Sequence, residues 1–189
     1  DIPCSFEESG NFFHTMEISV MRALLELVDN PRQDVPLISV LRSPVFGFTP
    51  DRLAEMRGKT PAGDFYDAVE ADGGEDCKAF LDALAGLRLA ARDMSVHRLI
   101  WHIYNTWNIL GIFGVMDGGA ERKENLIALS RQAEKFESSG YRGLFAFVTQ
   151  LRRLLDAGQE PAIKGGAAVN GVRLMSIHKS KGLDFPIVI

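Results

Sequence analysis

Ser176, His178, Lys179 and Lys181 crowd a hydroxyl, an imidazole and two ammonium groups against Gly182, near the end of a chain of 189 residues. With the free amides of a glycine turn, these donors suit phosphodiester oxygens, which they hold without reading base sequence. From Arg173 to Asp184 three cations (Arg173, Lys179, Lys181) stand against one anion (Asp184), whereas the whole chain has a net charge of −4. A solvated basic loop is the competing reading of the same residues.

Other chemistry-bearing groups are weaker. Gly58-Lys59-Thr60 has the ending of a phosphate-binding loop, G-x-x-x-x-G-K-S/T, but the first glycine position falls on Leu53. Pro61 also follows at once, where a helix should offer amides to phosphate. The stretch is read as a loop. His97 and His102 are off the i, i+4 spacing that aims two imidazoles at one metal, and His14 stands alone, so no metal site is expected. Trp101, Tyr104 and Trp107, with Ile100, Ile103 and Leu110, could stack bases. The same spacing on a helix apolar on most sides is that of a core, the favoured reading. Arg142, Arg152 and Arg153 on one segment, and Arg122, Lys123, Arg131 and Lys135 on the one before it, could track phosphates. Glu121, Glu124, Glu134 and Glu137 interleave with the second set and make it a mixed solvated face.

The elements that position these groups read as mostly helical. Apolar residues are 46% and charged residues 24%, ordinary globular composition for one sizeable domain. Cys4 and Cys77 form no C-x-x-C pair, which fits a reducing compartment. No apolar run approaches the ~18 residues of a membrane span, and no signal-peptide pattern opens the chain.

Ile18, Met21, Leu24, Leu25 and Val28 follow helical spacing up to Asn30-Pro31. Asp34 is placed as the N-cap of a short helix through Leu41. Thr49-Pro50 opens another, for which Gly58 would serve as a left-handed stop. Helices are expected near 65–70, near 76–92, after Ser95 through "LIWHIYNTWNIL", over 120–137 and over 143–157, followed by a loop, "GQEPAIKGGAAVNG". "DIPCSFEE", "VRLMSI" and "FPIVI" read as strand. Both ends stop inside unfinished structure, so the chain is read as an internal piece of a longer protein.

"LMSIHKSKGLDFPIVI" resembles motif V of the UvrD/Rep/RecB group of superfamily 1 helicases, and its "IHKSKGL" form is closest to the AddA and RecB branch. "DNPRQDVPL" followed by "VLRSP", and "GGAERKENLIALSRQAEKFESSGYRGLFAFV", are similar to segments of AddA-type helicase/nucleases, so nearly the whole chain is covered.

The resemblance implies a mainly α fold: a helical insertion (2B) subdomain of a UvrD-like helicase, with short β segments of the RecA-like 2A domain at both ends. On that reading residues 1–12 are the leading edge of the 2A/2B junction and 13–157 the 2B insertion. Residues 158–170 are a linker, and 171–189 begin the returning 2A segment.

The resemblance also implies that Ser176, His178, Lys179 and Lys181 contact single-stranded DNA, while Gly182 shapes the loop. Asp184, where the family carries glutamate, would approach the ribose of ATP with one methylene less reach. ATP and Mg²⁺ belong to the longer protein and none is expected in this piece, which lacks a phosphate loop and Mg²⁺ carboxylates. Implied partners are single-stranded and duplex DNA and an AddB-type protein, with no membrane, in the bacterial cytoplasm. The alternative is a stand-alone helical module for protein or nucleic-acid interaction.

Overall fold

The computed structural model describes residues 4–6, 12–159 and 172–174. Strand β1 (Cys4–Phe6) leads to a 3₁₀ turn (Phe12–His14) and then to α1 (Met16–Asp29), α2 (Asp34–Leu41), α3 (Pro50–Lys59), α4 (Phe65–Asp72) and α5 (Glu75–Ala90). Helices α6 (Val96–Thr106), α7 (Ile109–Gly114), α8 (Gly119–Ser138) and α9 (Leu144–Asp156) complete the helical body before β2 (Val172–Leu174). The mainly α expectation agrees with this order.

The body is built around α1. Its predicted face, Ile18 to Val28, is buried, but so are Val20, Ala23 and Leu27. A helix apolar on nearly every side belongs in an interior, and α2, α5, α8 and α9 all pack on it. Phe12 and Phe13 close its leading end edge to face, with ring centroids 5.1 Å apart. Helices α6, α7 and α8 pack on one another, and α3 pairs with α4. One contiguous core runs from Phe12 to Leu151.

Two helix starts were legible as local chemistry. The Thr49 hydroxyl accepts from the Arg52 amide at 3.2 Å, with Pro50 at the first helical position. The Ser95 hydroxyl accepts from the Arg98 amide at 3.5 Å. Asp34 differs from expectation: Gln33 is the cap residue of α2, and the Asp34 carboxylate accepts from the Phe65 amide of α4 at 2.7 Å. A long-range contact has taken over a side chain suited to local capping.

Gly58 also differs, because α3 runs through it to Lys59 and the left-handed turn comes at Gly63 (φ 84°). The single helix expected over "LIWHIYNTWNIL" breaks after Thr106. Asn108 adopts φ 48°, a left-handed conformation that asparagine tolerates better than most residues.

β1 and β2 pair in parallel, Cys4 opposite Val172 and Phe6 opposite Leu174. The whole helical body is therefore held between two adjacent strands that run in the same direction. The chain leaves β1 toward the helices at the same end at which it leaves β2.

Candidate functional site

Ser176, His178, Lys179, Lys181, Gly182 and Asp184 lie outside the described residues. What is described is their approach: β2 ends at Leu174, two residues before Ser176, at the carboxyl end of a parallel pair.

The remaining sequence candidates fall inside the helical body. Lys59 ends α3 and gives its ammonium to Glu55 at 2.8 Å and Asp72 at 3.5 Å. It is spoken for by carboxylates, and the Gly58-Lys59-Thr60 stretch forms no phosphate cradle. Ile100, Ile103 and Tyr104 are buried, and Trp101 and Trp107 pack half-buried against the core. The Tyr104 hydroxyl donates to the Leu126 carbonyl at 2.7 Å, and burial pushes its phenol well above the ordinary value. The aromatic run is core.

His97 Nδ1 lies 3.0 Å from the Ser130 carbonyl, while His14 and His102 are exposed. No two of the three meet in a metal-binding group among the described residues. The two basic helices divide their cations. Arg122 is drawn inward to Glu17 at 2.6 Å, and Arg152 to Glu26 at 3.1 Å. Arg131, Lys135, Arg142 and Arg153 remain exposed.

Sequence reading missed one cluster. Asp72, Asp76 and Cys77 bring two carboxylates and a thiol close enough to hold a metal ion. A cation already sits there: Arg52 donates to Asp72 through both terminal nitrogens, and reaches Asp76 at 3.3 Å. This bidentate bond holds the Asp72 carboxyl well below the usual carboxylate range, against the opposing effect of burial. Burial first, with Asp76 and Asp72 adding to it, pushes the Cys77 thiol up to about 12. A protonated thiol and carboxylates committed to arginine make a structural clasp that ties α3 to the end of α4 and the start of α5. The described residues offer no fit for Mg²⁺ or nucleotide phosphates at either Lys59 or this cluster.

A groove of about 600 Å³ was also missed. Its walls come from the C-terminal ends of α1 and α5, the start of α9, and Tyr66 of α4. Leu89 and Phe145 stand on its lips with 63% and 70% of their surface exposed. The only available signal was periodicity: Leu89 lies off the Cys77, Phe80, Leu84, Leu87 stripe, and Phe145 off the Phe147, Val148, Leu151 stripe. Arg88 donates at 3.3, 2.9 and 3.2 Å to the carbonyls of Leu27, Val28 and Asp29, which closes the C-terminal end of α1.

Among the described residues, no helix is long and apolar enough to cross a membrane. No protein-family model matches the chain. Curated relatives do. The chain is 40% identical over 196 residues to the A-type subunit of the ATP-dependent helicase/nuclease of Lactobacillus gasseri, covering 100% of this chain and 16% of the relative. The protein of the same name from Geobacillus kaustophilus is 40% identical, covering 99% of this chain and 16% of the relative. That of Acetivibrio thermocellus is 41% identical, covering 100% and 16%. The chain thus spans about one sixth of the length of these relatives.

Proposed function

We propose, from the premise that this chain is homologous from end to end to one segment of AddA, the A-type subunit of ATP-dependent helicase/nucleases, that it supplies a helical insertion and a DNA-contacting turn to such an enzyme. The observation that carries this reading is the similarity of about 40% over the whole chain. The parallel pairing of Cys4–Phe6 with Val172–Leu174 supports the architecture, because an insertion that leaves and re-enters one sheet at neighbouring strands would bring its two ends together in this way. In this reading residues 13–157 form the 2B subdomain, and residues 171–189 resume the 2A motor domain.

Ser176, His178, Lys179 and Lys181 then lie just beyond the carboxyl end of β2 in sequence and hold the backbone of single-stranded DNA. Gly182 and Asp184 link that contact to nucleotide state. ATP and Mg²⁺ would be bound by other parts of the longer protein, and the duplex and an AddB-type protein would meet its surface. A motor of this kind unwinds and degrades DNA ends in repair and recombination, within the cytoplasm. The alternative, a stand-alone helical module for protein or nucleic-acid interaction, is less favoured because the relatives carry the matching segment within a longer chain.

The test is fluorescence anisotropy with labelled oligo-dT on the 189-residue chain and its H178A/K179A/K181A variant. The unsubstituted chain should bind weakly and lose affinity steeply with salt. The variant should bind about tenfold more weakly, with a salt dependence shallower by about one to two ions. Equal binding by the variant would remove the turn from the DNA contact. A robust DNA-stimulated ATPase from this chain alone would overturn the assignment of ATP to other parts.

A further inference from the structure

We propose that the turn between α8 and α9, carrying Tyr141 and Arg142, is a stacking site for an unpaired base of single-stranded DNA. The ring would lie under the base and the guanidinium beside its phosphate. This assignment rests on the reading that the longer protein handles DNA, and it uses none of the residues from Ser176 to Asp184.

The ring is held from behind. Tyr141 is 60% exposed, yet it stacks on Phe136 with centroids 5.4 Å apart and planes 17° from parallel. Phe136 is buried and packs edge to face with Phe147 of α9, centroids 5.3 Å apart. An aromatic column thus rises from the core and ends at the surface in Tyr141. Shielding Phe136 occupies only the inner face of that last ring. A flat ring with an open outer face is what base stacking needs, and stacking accepts every base because each has a π-face.

The backbone presents the two side chains together. Gly140 and Gly143 flank them at φ 88° and 89°, left-handed values that other residues rarely adopt. The Gly140 amide donates to the Glu137 carbonyl at 3.0 Å, which ties the turn to the end of α8. Arg142 is exposed and has no carboxylate partner among the described residues. Of the charges just before it, Glu134 and Lys135 are adjacent and offset each other. The Glu137 carboxylate is turned to α6, where it accepts from the Val96 amide at 2.6 Å. Arg142 is therefore the charge that an approaching strand meets beside the ring.

Other occupants fit less well. An aromatic anchor for a protein partner needs surrounding contacts that exclude water. Around Tyr141 in the chain, Ser138, Ser139, Gly140, Arg142 and Gly143 are exposed and polar or small. Phe145 stands on the lip of the groove, which neither Tyr141 nor Arg142 lines. Bases inside a duplex already stack on one another, so an unpaired strand is the fit.

The experiment is fluorescence anisotropy on the 189-residue chain with two labelled strands of ~12 nucleotides, oligo-dT and an abasic strand with the same number of phosphates. The unsubstituted chain should bind oligo-dT about tenfold more tightly than the abasic strand. Tyr141→Ala should abolish that preference while abasic binding stays unchanged, which also shows that the variant is folded. Tyr141→Phe should keep the preference. Arg142→Gln should weaken both strands alike, by about threefold, with a salt dependence shallower by about one ion. The preference should persist in the H178A/K179A/K181A variant.

Equal binding of the two strands by the unsubstituted chain overturns the proposal, as does a Tyr141→Ala variant that keeps the preference. If Tyr141→Ala weakens both strands alike, the ring is only a shield for Phe136 and the proposal falls. Loss of the preference in the H178A/K179A/K181A variant would place the base contact in the C-terminal turn and overturn it too. Unchanged abasic binding in that triple variant counts against the DNA-contact reading and leaves this one standing.

Discussion

The carboxylate of Glu17, on the central helix, receives Arg122 Nη1 of α8 at 2.6 Å with its own side chain only 1% exposed. Its other oxygen accepts from Asn125 Nδ2 at 2.8 Å. A charge placed one residue into α1, in a position enclosed by packing, is tolerated because both oxygens are satisfied. The pair fastens the α6–α8 side of the body to α1.

Arg122→Ala should therefore cost more than an exposed ion pair. It leaves a buried carboxylate with one partner, and the expected loss is about 2–3 kcal/mol, below the figure for a fully buried pair because Arg122 reaches solvent. Glu17→Gln with Arg122→Met should recover most of it, since no charge is then left inside. Urea unfolding of the single and double variants measures both values. A loss within a few tenths of a kcal/mol for Arg122→Ala would show the pair to be ornamental.

The turn from α7 into α8 depends on one close approach. A Cβ at Gly119 would collide with the Gly114 carbonyl oxygen, and that atom is backbone, so it cannot swing aside. Gly119→Ala should destabilise by about 2 kcal/mol or more. Gly86, inside α5, has open space where its Cβ would go. There alanine should stabilise by about 0.5–1 kcal/mol, through lower chain entropy in the unfolded state. Opposite signs in the two thermal midpoints are the expected result.

Arg52 gives Asp72 a pH signature. The carboxyl titrates below its usual range in the folded protein and near about 3.9 when unfolded. On acidification the unfolded state takes the proton first, so this stabilisation is complete above about pH 4 and declines below it. The urea midpoint should fall as pH drops from about 4 toward 2, and Asp72→Asn should flatten that part of the profile. An unchanged profile in the variant would show that other carboxylates govern the acid limb.

Cys77 should be a silent thiol. It is buried, and its proton is held up to about 12, so the thiolate that reacts is scarce at neutral pH. In a Cys4→Ser background, a disulfide reagent should modify Cys77 slowly in buffer and rapidly in urea. Rapid labelling in buffer would mean that α5 opens locally around this position.

How much was legible differed from residue to residue. The caps at Thr49 and Ser95 and the buried face of α1 could be read because each depends on neighbours within one or two helical turns. The Gly58-Lys59-Thr60 stretch could be rejected for the same reason, since Leu53 and Pro61 break the pattern locally. Asp34 could not be read correctly, because its cap is spent on Phe65 in another helix. Glu17 and Glu26 gave no sign of burial, since a carboxylate in an otherwise amphipathic helix normally faces water. The break at Asn108 carried no glycine or proline to mark it.

The DNA-contact hypothesis was legible because it rests on contiguous residues, Ser176 to Asp184, whose types and order carry the resemblance. The groove was not, since its walls come from helices far apart in the chain and its lips are marked only by falling outside two buried stripes. Local rules of spacing and capping determine that the chain forms successive helices between short strands. Which carboxylates are buried and paired, where the apolar lips are left uncovered, and the parallel meeting of Cys4–Phe6 with Val172–Leu174 depend on contacts between residues remote in sequence, which periodicity does not encode.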